Sequence, residues 1–159
     1  MRDVAMSEYK ATVEWRRQTV DFDYKTYNRA HTLAFEGGIR VPASAAPGNV
    51  PPTAAGAPGV DPEQAFVASL SSCHMLWFLH LASKAALVVD RYVDEASGVL
   101  AKNATGDMAM TRVTLRPAVS FAGRKPSPEE HARLHEDAHH KCFIANSVKS
   151  EVLIEPRVA

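Results

Sequence analysis

Two cysteines, Cys73 and Cys142, are the residues of this chain best suited to chemistry, because a thiolate serves as nucleophile, metal ligand and redox partner. They lie 69 positions apart, without the clustered C-x-x-C spacing of a zinc knuckle or a thioredoxin-type motif. A long-range thiol pair or two core thiols remain. Cys73 sits in Asp61-Pro62-Glu63-Gln64 … Ser71-Ser72-Cys73-His74-Met75, inside a strongly helical stretch. Cys142 ends Ala138-His139-His140-Lys141-Cys142 and is followed by Phe143-Ile144-Ala145-Asn146-Ser147.

The chain has 159 residues, enough to enclose a core without disulfide staples, and reads as a single domain over 1–159. Eighteen basic residues balance eighteen acidic ones, which removes the electrostatic case for nucleic acid or an anionic membrane as partner. No uninterrupted apolar run approaches the roughly 18 residues of a membrane span, and Met1-Arg2-Asp3-Val4 lacks the apolar region of a signal peptide. A cytoplasmic location is therefore expected. In that reducing compartment transient thiol chemistry is a more natural use of two cysteines than a standing disulfide.

Positioning these thiols requires a scaffold, and the apolar pattern supplies one. Ala11-Thr12-Val13-Glu14-Trp15 and Thr32-Leu33-Ala34-Phe35-Glu36 alternate as strands, the second running into Gly37-Gly38. Residues 42–60 hold five of the ten prolines, three of the eight glycines and six alanines, a loop composition with little to bury.

Asp61, Pro62 and Gln64 then give a helix-start signature. Phe66, Leu70, Cys73, Trp77, His80 and Leu81 recur at three- and four-residue steps, predicting a helix to about Ala86 with Cys73 on its buried stripe. Two strands are expected at 88–93 and 112–121, with Asn103-Ala104-Thr105-Gly106-Asp107 as a turn between them. Ser127-Pro128-Glu129-Glu130 starts a second helix whose inner face carries His131, Leu134, His135, Ala138 and Cys142. Glu151-Val152-Leu153-Ile154 reads as a last strand. The order is that of an α+β fold with one cysteine on the buried face of each helix.

These residues resemble the OsmC/Ohr family, the osmotically inducible protein C and organic hydroperoxide resistance proteins. The first family motif is similar to Asp61-Pro62-Glu63-Gln64 with Cys73 ten residues after Glu63, and the second to Ala138-His139-His140-Lys141-Cys142 with Asn146-Ser147. The element order matches over nearly the whole chain. Asp61 stands for the usual Asn, Phe143 for the Pro of the best-known peroxidases, and His74 where an apolar residue often follows the first cysteine. The chain thus resembles a divergent OsmC-like branch.

The resemblance implies an OsmC-like fold: two helices packed against curved antiparallel sheets in an intertwined homodimer. It also implies a thiol-dependent peroxidase acting on organic hydroperoxides, with no bound cofactor and an external dithiol as reductant. Cys73 would attack the peroxide and Cys142 would condense with the resulting sulfenic acid. Burial on an apolar face favours the neutral thiol, so a cation is needed. The family takes it from an arginine of the N-terminal strands. Arg29 is the best match and Arg40 the second, with Glu63 holding the guanidinium in a bidentate pair.

An unbroken helix from Glu63 to Cys73 would separate them by roughly 15 Å along its axis. Either the helix breaks near Ser69-Leu70-Ser71-Ser72, or Glu63 serves the site of a partner chain. Phe66, Met75, Leu76, Trp77 and Phe78 are candidates for an apolar pocket, at least half of them expected to be simple packing. Two alternatives belong to other classes. His131, His135 and His139 fall at i, i+4 and i+8 on one helix face, a spacing that would let imidazoles share a zinc or copper ion. A non-catalytic OsmC-like binding or scaffold protein would keep both cysteines as core.

Overall fold

Alternation in Ala11-Thr12-Val13-Glu14 produces β1 (Ala11–Glu14), which pairs antiparallel with β2 (His31–Phe35). β2 continues into β3 (Arg40–Ala43) through Gly37 and Gly38, whose φ values of 79° and 80° close the connection. β3 overlaps the start of the segment expected to be loop, at Pro42 and Ala43. Its Pro42 is tolerated because β3 is the edge of a sheet ordered β1-β2-β3. The loop composition instead yields two short 3-10 turns, Pro47–Asn49 and Pro52–Ala54, and returns to β3 where Val60 and Ala43 form a bridge.

This computed structural model describes residues 6–54 and 58–157, so residues 55–57 of the expected loop and the N-terminal residues 1–5 lie outside the described part. The chain divides into two compact units, Met1–Pro62, which contains the sheet above, and Glu63–Ala159, which contains both helices and both cysteines.

In the second unit α1 (Pro62–Lys84) starts where the Asp61-Pro62 signature predicts and runs unbroken for 23 residues. It ends in a left-handed residue, Ala86 at φ 54°, with Ala86 N–H donating to Ser83 O and Leu87 N–H to Ala82 O. That paired closure satisfies two of the last helical carbonyls. By length and composition α1 could cross a membrane, with mean hydropathy 1.4, although serines and histidines interrupt its apolar run. Leu70, His74, Phe78 and Ala82 are its fully buried residues. The buried stripe is thus turned by one position from the expected one. His74 occupies its centre, Cys73 sits half-buried at its edge, and His80 is exposed.

β4 (Val88–Asp94) pairs antiparallel with β7 (Pro117–Ala122), and β5 (Ser97–Lys102) with β6 (Met108–Leu115). The single strand expected at 112–121 is therefore two. Pro117 offers no N–H at the break, and the Arg116 N–H leaves the ladder for the Asp94 carboxylate at 2.6 Å. The Asn103–Asp107 turn forms as expected: the Asn103 side chain accepts from the N–H groups of Thr105 and Asp107, and Gly106 takes φ 88°. β5 was hidden by Gly98. A Cβ there would come within 2.7 Å of Val67, so its absence lets α1 lie close against β5.

Ser127 caps α2 (Pro128–Lys141), its hydroxyl accepting from Glu130 N–H at 3.1 Å. α2 then carries the chain to β8 (Glu151–Ile154), which pairs with β6 in parallel rather than in the expected antiparallel sense. A strand that returns through a crossover helix can run parallel to its neighbour.

Two apolar clusters hold this unit. Phe78 and Ala82 of α1 pack with Leu134 and Ala138 of α2, Leu87 and Val119. Leu70 packs with Val113 and Leu115 of β6, flanked by Phe66, Val67, Ile144, Val152 and Ile154. Burying one such Leu or Phe side chain stabilises by about 1.5–3 kcal/mol.

Candidate functional site

Cys73 reaches its place from the middle of α1, and Cys142 from the C-cap of α2, where its N–H donates to His139 O at 3.2 Å. The Cys142 sulfur accepts from Ala145 N–H at 3.4 Å and is 1% exposed. The two thiols are free and adjacent. Burial, reinforced by a hydrogen bond with Cys73, pushes the Cys142 thiol up to about 11, so it holds its proton at neutral pH. The facing of α1 and α2 expected from the two apolar stripes thus brings together the two cysteines that the sequence marks out.

Only one of the two opens onto space. Cys73 lines a cavity of about 580 Å³ walled by Ser69, Ser72, Leu76, Trp77, His80, Phe143 and Ile144. Trp77 is the organising side chain, with Phe143 edge-on at 5.5 Å and His80 edge-on at 5.6 Å between ring centres. Of the expected pocket set, Leu76 and Trp77 line this cavity. Phe78 is core and Phe66 packs on the Leu70 cluster. Phe143, noted in the sequence only as a departure from proline, is a wall of the cavity. Its position directly after Cys142 was the available signal.

Behind Cys73 the next residue of α1 makes a buried polar contact. His74 Nε2 and His135 Nδ1 lie 3.0 Å apart, one nitrogen donating and the other accepting. Burial pushes His74 down to about 4, with His139 adding to the effect, and pushes His135 down to about 3, with His131 and His74 adding. Both imidazoles are neutral at neutral pH. His131 stands edge-on to His135 at 4.7 Å and His135 stacks on Phe78 at 4.4 Å. The histidine spacing therefore serves a buried pair that includes a residue of the other helix. Among the described residues no group of three or more His, Cys, Asp or Glu side chains is arranged to hold a metal ion.

Glu63 lies in the first turn of α1, and because the helix does not break, it is roughly 15 Å along the axis from Cys73 of its own chain. Arg29 belongs to the first unit, just before β2, and is 7% exposed. Its guanidinium stacks 3.3 Å from the centre of the Tyr27 ring and donates to the carbonyls of Tyr27 and Tyr24. These contacts fix its direction within that unit. Arg40, the second candidate, is exposed and pairs with Glu14 at 3.4 Å.

Comparison with known proteins agrees with this architecture. The family profile described as OsmC-like protein matches residues 54–157. An OsmC-like protein of unknown function from Vibrio cholerae is 47% identical, with a TM-score of 0.92 over 96% of this chain and 100% of that one. The organic hydroperoxide resistance protein OhrB of Bacillus subtilis superposes with a TM-score of 0.69 at 22% identity, covering 96% of this chain and 100% of its own. That of Elizabethkingia anophelis gives 0.70 at 16%, covering 98% of each chain. Comparison with curated protein sequences gave no match. The chain belongs to the OsmC-like family and shares its fold with these two organic hydroperoxide resistance proteins.

Proposed function

We propose that this protein is a thiol-dependent peroxidase that reduces organic hydroperoxides. The observation that carries the reading is the pairing of a cavity-facing Cys73 with a buried, protonated Cys142 beside it. In the first step the Cys73 thiolate attacks the outer oxygen of ROOH, the O–O bond breaks, and the alkoxide takes a proton to leave as ROH. Cys73 is then a sulfenic acid. In the second step the Cys142 sulfur attacks Cys73, the S–O bond breaks, and the Cys142 proton leaves with the hydroxyl as water, giving a disulfide. An external dithiol restores both thiols and is itself oxidised to a disulfide. No bound cofactor enters this cycle.

Arg29 is the proposed cation beside the Cys73 thiolate, oriented by Glu63. With α1 unbroken, the Glu63 that serves a given Cys73 would come from the partner subunit of a homodimer. Support for that assembly comes from the apolar surface around the cavity, where Leu76 is 60% and Phe143 66% exposed. The function is tested by following hydroperoxide consumption in the presence of a dithiol. Turnover in the wild type and none in Cys73→Ser is expected; equal consumption by both would refute the proposal. A monomeric mass in sedimentation at micromolar concentration would refute the dimer.

A further inference from the structure

Val119 and Phe121 of β7 pack against the Phe78 and Ala82 cluster, so the alternate residues Ala118 and Ser120 point away from the helices. On that far side they floor a cavity of about 460 Å³, which shares no lining residue with the Cys73 cavity. Strand pairing sets three arginines around the floor. Arg91 of β4 stands opposite Ser120, Val93 stands opposite Ala118, and Arg157 is bridged to Ala118 from the other flank, its N–H donating to Pro117 O at 2.9 Å. Arg116, just before Pro117, completes the ring. Its guanidinium is oriented by Ser97 Oγ at 2.8 Å and by the Glu95 carbonyl at 3.4 Å.

The lining carries three guanidiniums and a single carboxylate, Glu95, which pairs with Arg157 at 3.2 Å. Glu155 adds a second carboxylate from outside the lining, 3.5 Å from Arg116. Arg91 is exposed and, among the described residues, forms no ion pair. Positive charge is therefore in excess. Both paired carboxylates are exposed, so their ion pairs contribute little and leave guanidinium donors for another acceptor. A concave site lined by charge of one sign raises the local concentration of the opposite ion.

We infer that this cavity is a binding site for a small phosphate monoester. A phosphate monoester brings three strong acceptor oxygens and nearly two negative charges at neutral pH, which suits several guanidiniums at once. The planar forks of Arg91, Arg116 and Arg157 match its oxygens, and the Ser120 hydroxyl can donate from the floor. Val93 and Ala118 offer an apolar patch for the organic part. The volume lies within the roughly 300–1,000 Å³ of small-molecule sites. This site goes beyond the peroxidase reading and does not depend on it.

The test is calorimetric titration of the full chain at low salt with phenyl phosphate, phenyl sulfate and inorganic phosphate. One phenyl phosphate should bind per chain, more tightly than phenyl sulfate, which has one charge fewer, and more tightly than inorganic phosphate, which has no organic part. Arg91→Met and Arg157→Met should each weaken phenyl phosphate by about tenfold, the loss of one charge-assisted contact. The rate of Cys73 alkylation should stay at the wild-type value in both variants, showing that the second unit is intact and the thiol cavity untouched. Undiminished phenyl phosphate binding in both variants would overturn the inference, as would no saturable binding to the wild type at millimolar concentration. Equal affinity for phenyl phosphate and phenyl sulfate would overturn the selection of a phosphate.

Discussion

The Cys142 thiol, 1% exposed, lies beside Cys73, and Cys73 is the member of the pair that lines the cavity. This asymmetry assigns different chemistry to two residues of the same type. Alkylation with iodoacetamide at neutral pH should modify Cys73 well before Cys142, because burial holds the Cys142 proton on up to about 11 and denies the reagent access. Peptide mapping over a time course checks this, and prior loss of the Cys142 thiol would contradict it.

Removing the second thiol should leave the first oxidation intact. Cys142→Ser is expected to consume hydroperoxide once and then accumulate sulfenic acid at Cys73, passing to sulfinic acid with excess peroxide. A sulfenic-acid-trapping reagent followed by mass spectrometry reads the difference. Sustained dithiol-dependent turnover in Cys142→Ser would show that Cys142 is dispensable.

How far the sequence reached is clearest at α1. Its start at Pro62, its length and the presence of Cys73 near its buried side were all legible from the Asp-Pro-x-Gln signature and apolar spacing. Which residue faces the centre was not, because the helix is apolar on several sides and His74, a polar type, occupies the most buried position. Periodicity put His80 rather than His74 on the buried stripe, and His80 is exposed. Its partner His135 is 61 positions away, and only the folded helices show the pair. β5 and the break at Pro117 were missed for local reasons: Gly98 weakens the strand pattern, and the Asp94 contact that ends β6 is long-range.

The histidine pair makes acid stability predictable in sign. Both imidazoles have folded values below their ordinary 6.5, so below that pH the unfolded chain binds more protons than the folded one. Stability should be flat above about pH 6.5 and should fall as pH drops towards 4 and then 3. His74 alone accounts for about 3 kcal/mol over that window, at about 1.4 kcal/mol per pH unit. Urea midpoints at a series of pH values measure the slope. His74→Leu should cost about 1–3 kcal/mol at neutral pH, because it removes the partner of His135 Nδ1, whose ring already has Nε2 buried without one. Adding His135→Leu should recover part of that loss and flatten the acid slope. An unchanged slope in the double variant would mean that other groups set the acid limit.

The proposed roles of Arg29 and Glu63 are separable by rate. Arg29→Ala should slow both peroxide reduction and Cys73 alkylation at neutral pH by at least about tenfold, equivalent to about 1.4 kcal/mol. Arg29→Lys should restore only part, since an ammonium lacks the planar fork that pairs with a carboxylate. Glu63→Gln should slow the reaction comparably with the fold intact, read from circular dichroism beside the kinetics. Wild-type rates in Arg29→Ala would move the role to Arg40.

The most direct test of the two-cysteine cycle is mass spectrometry of the non-reduced protein after treatment with equimolar cumene hydroperoxide. A single linkage joining the Cys73 and Cys142 peptides is expected, formed within one chain and lost on adding a dithiol. Recovery of Cys142 as a free thiol, with Cys73 either unmodified or carried to sulfinic acid, would contradict it.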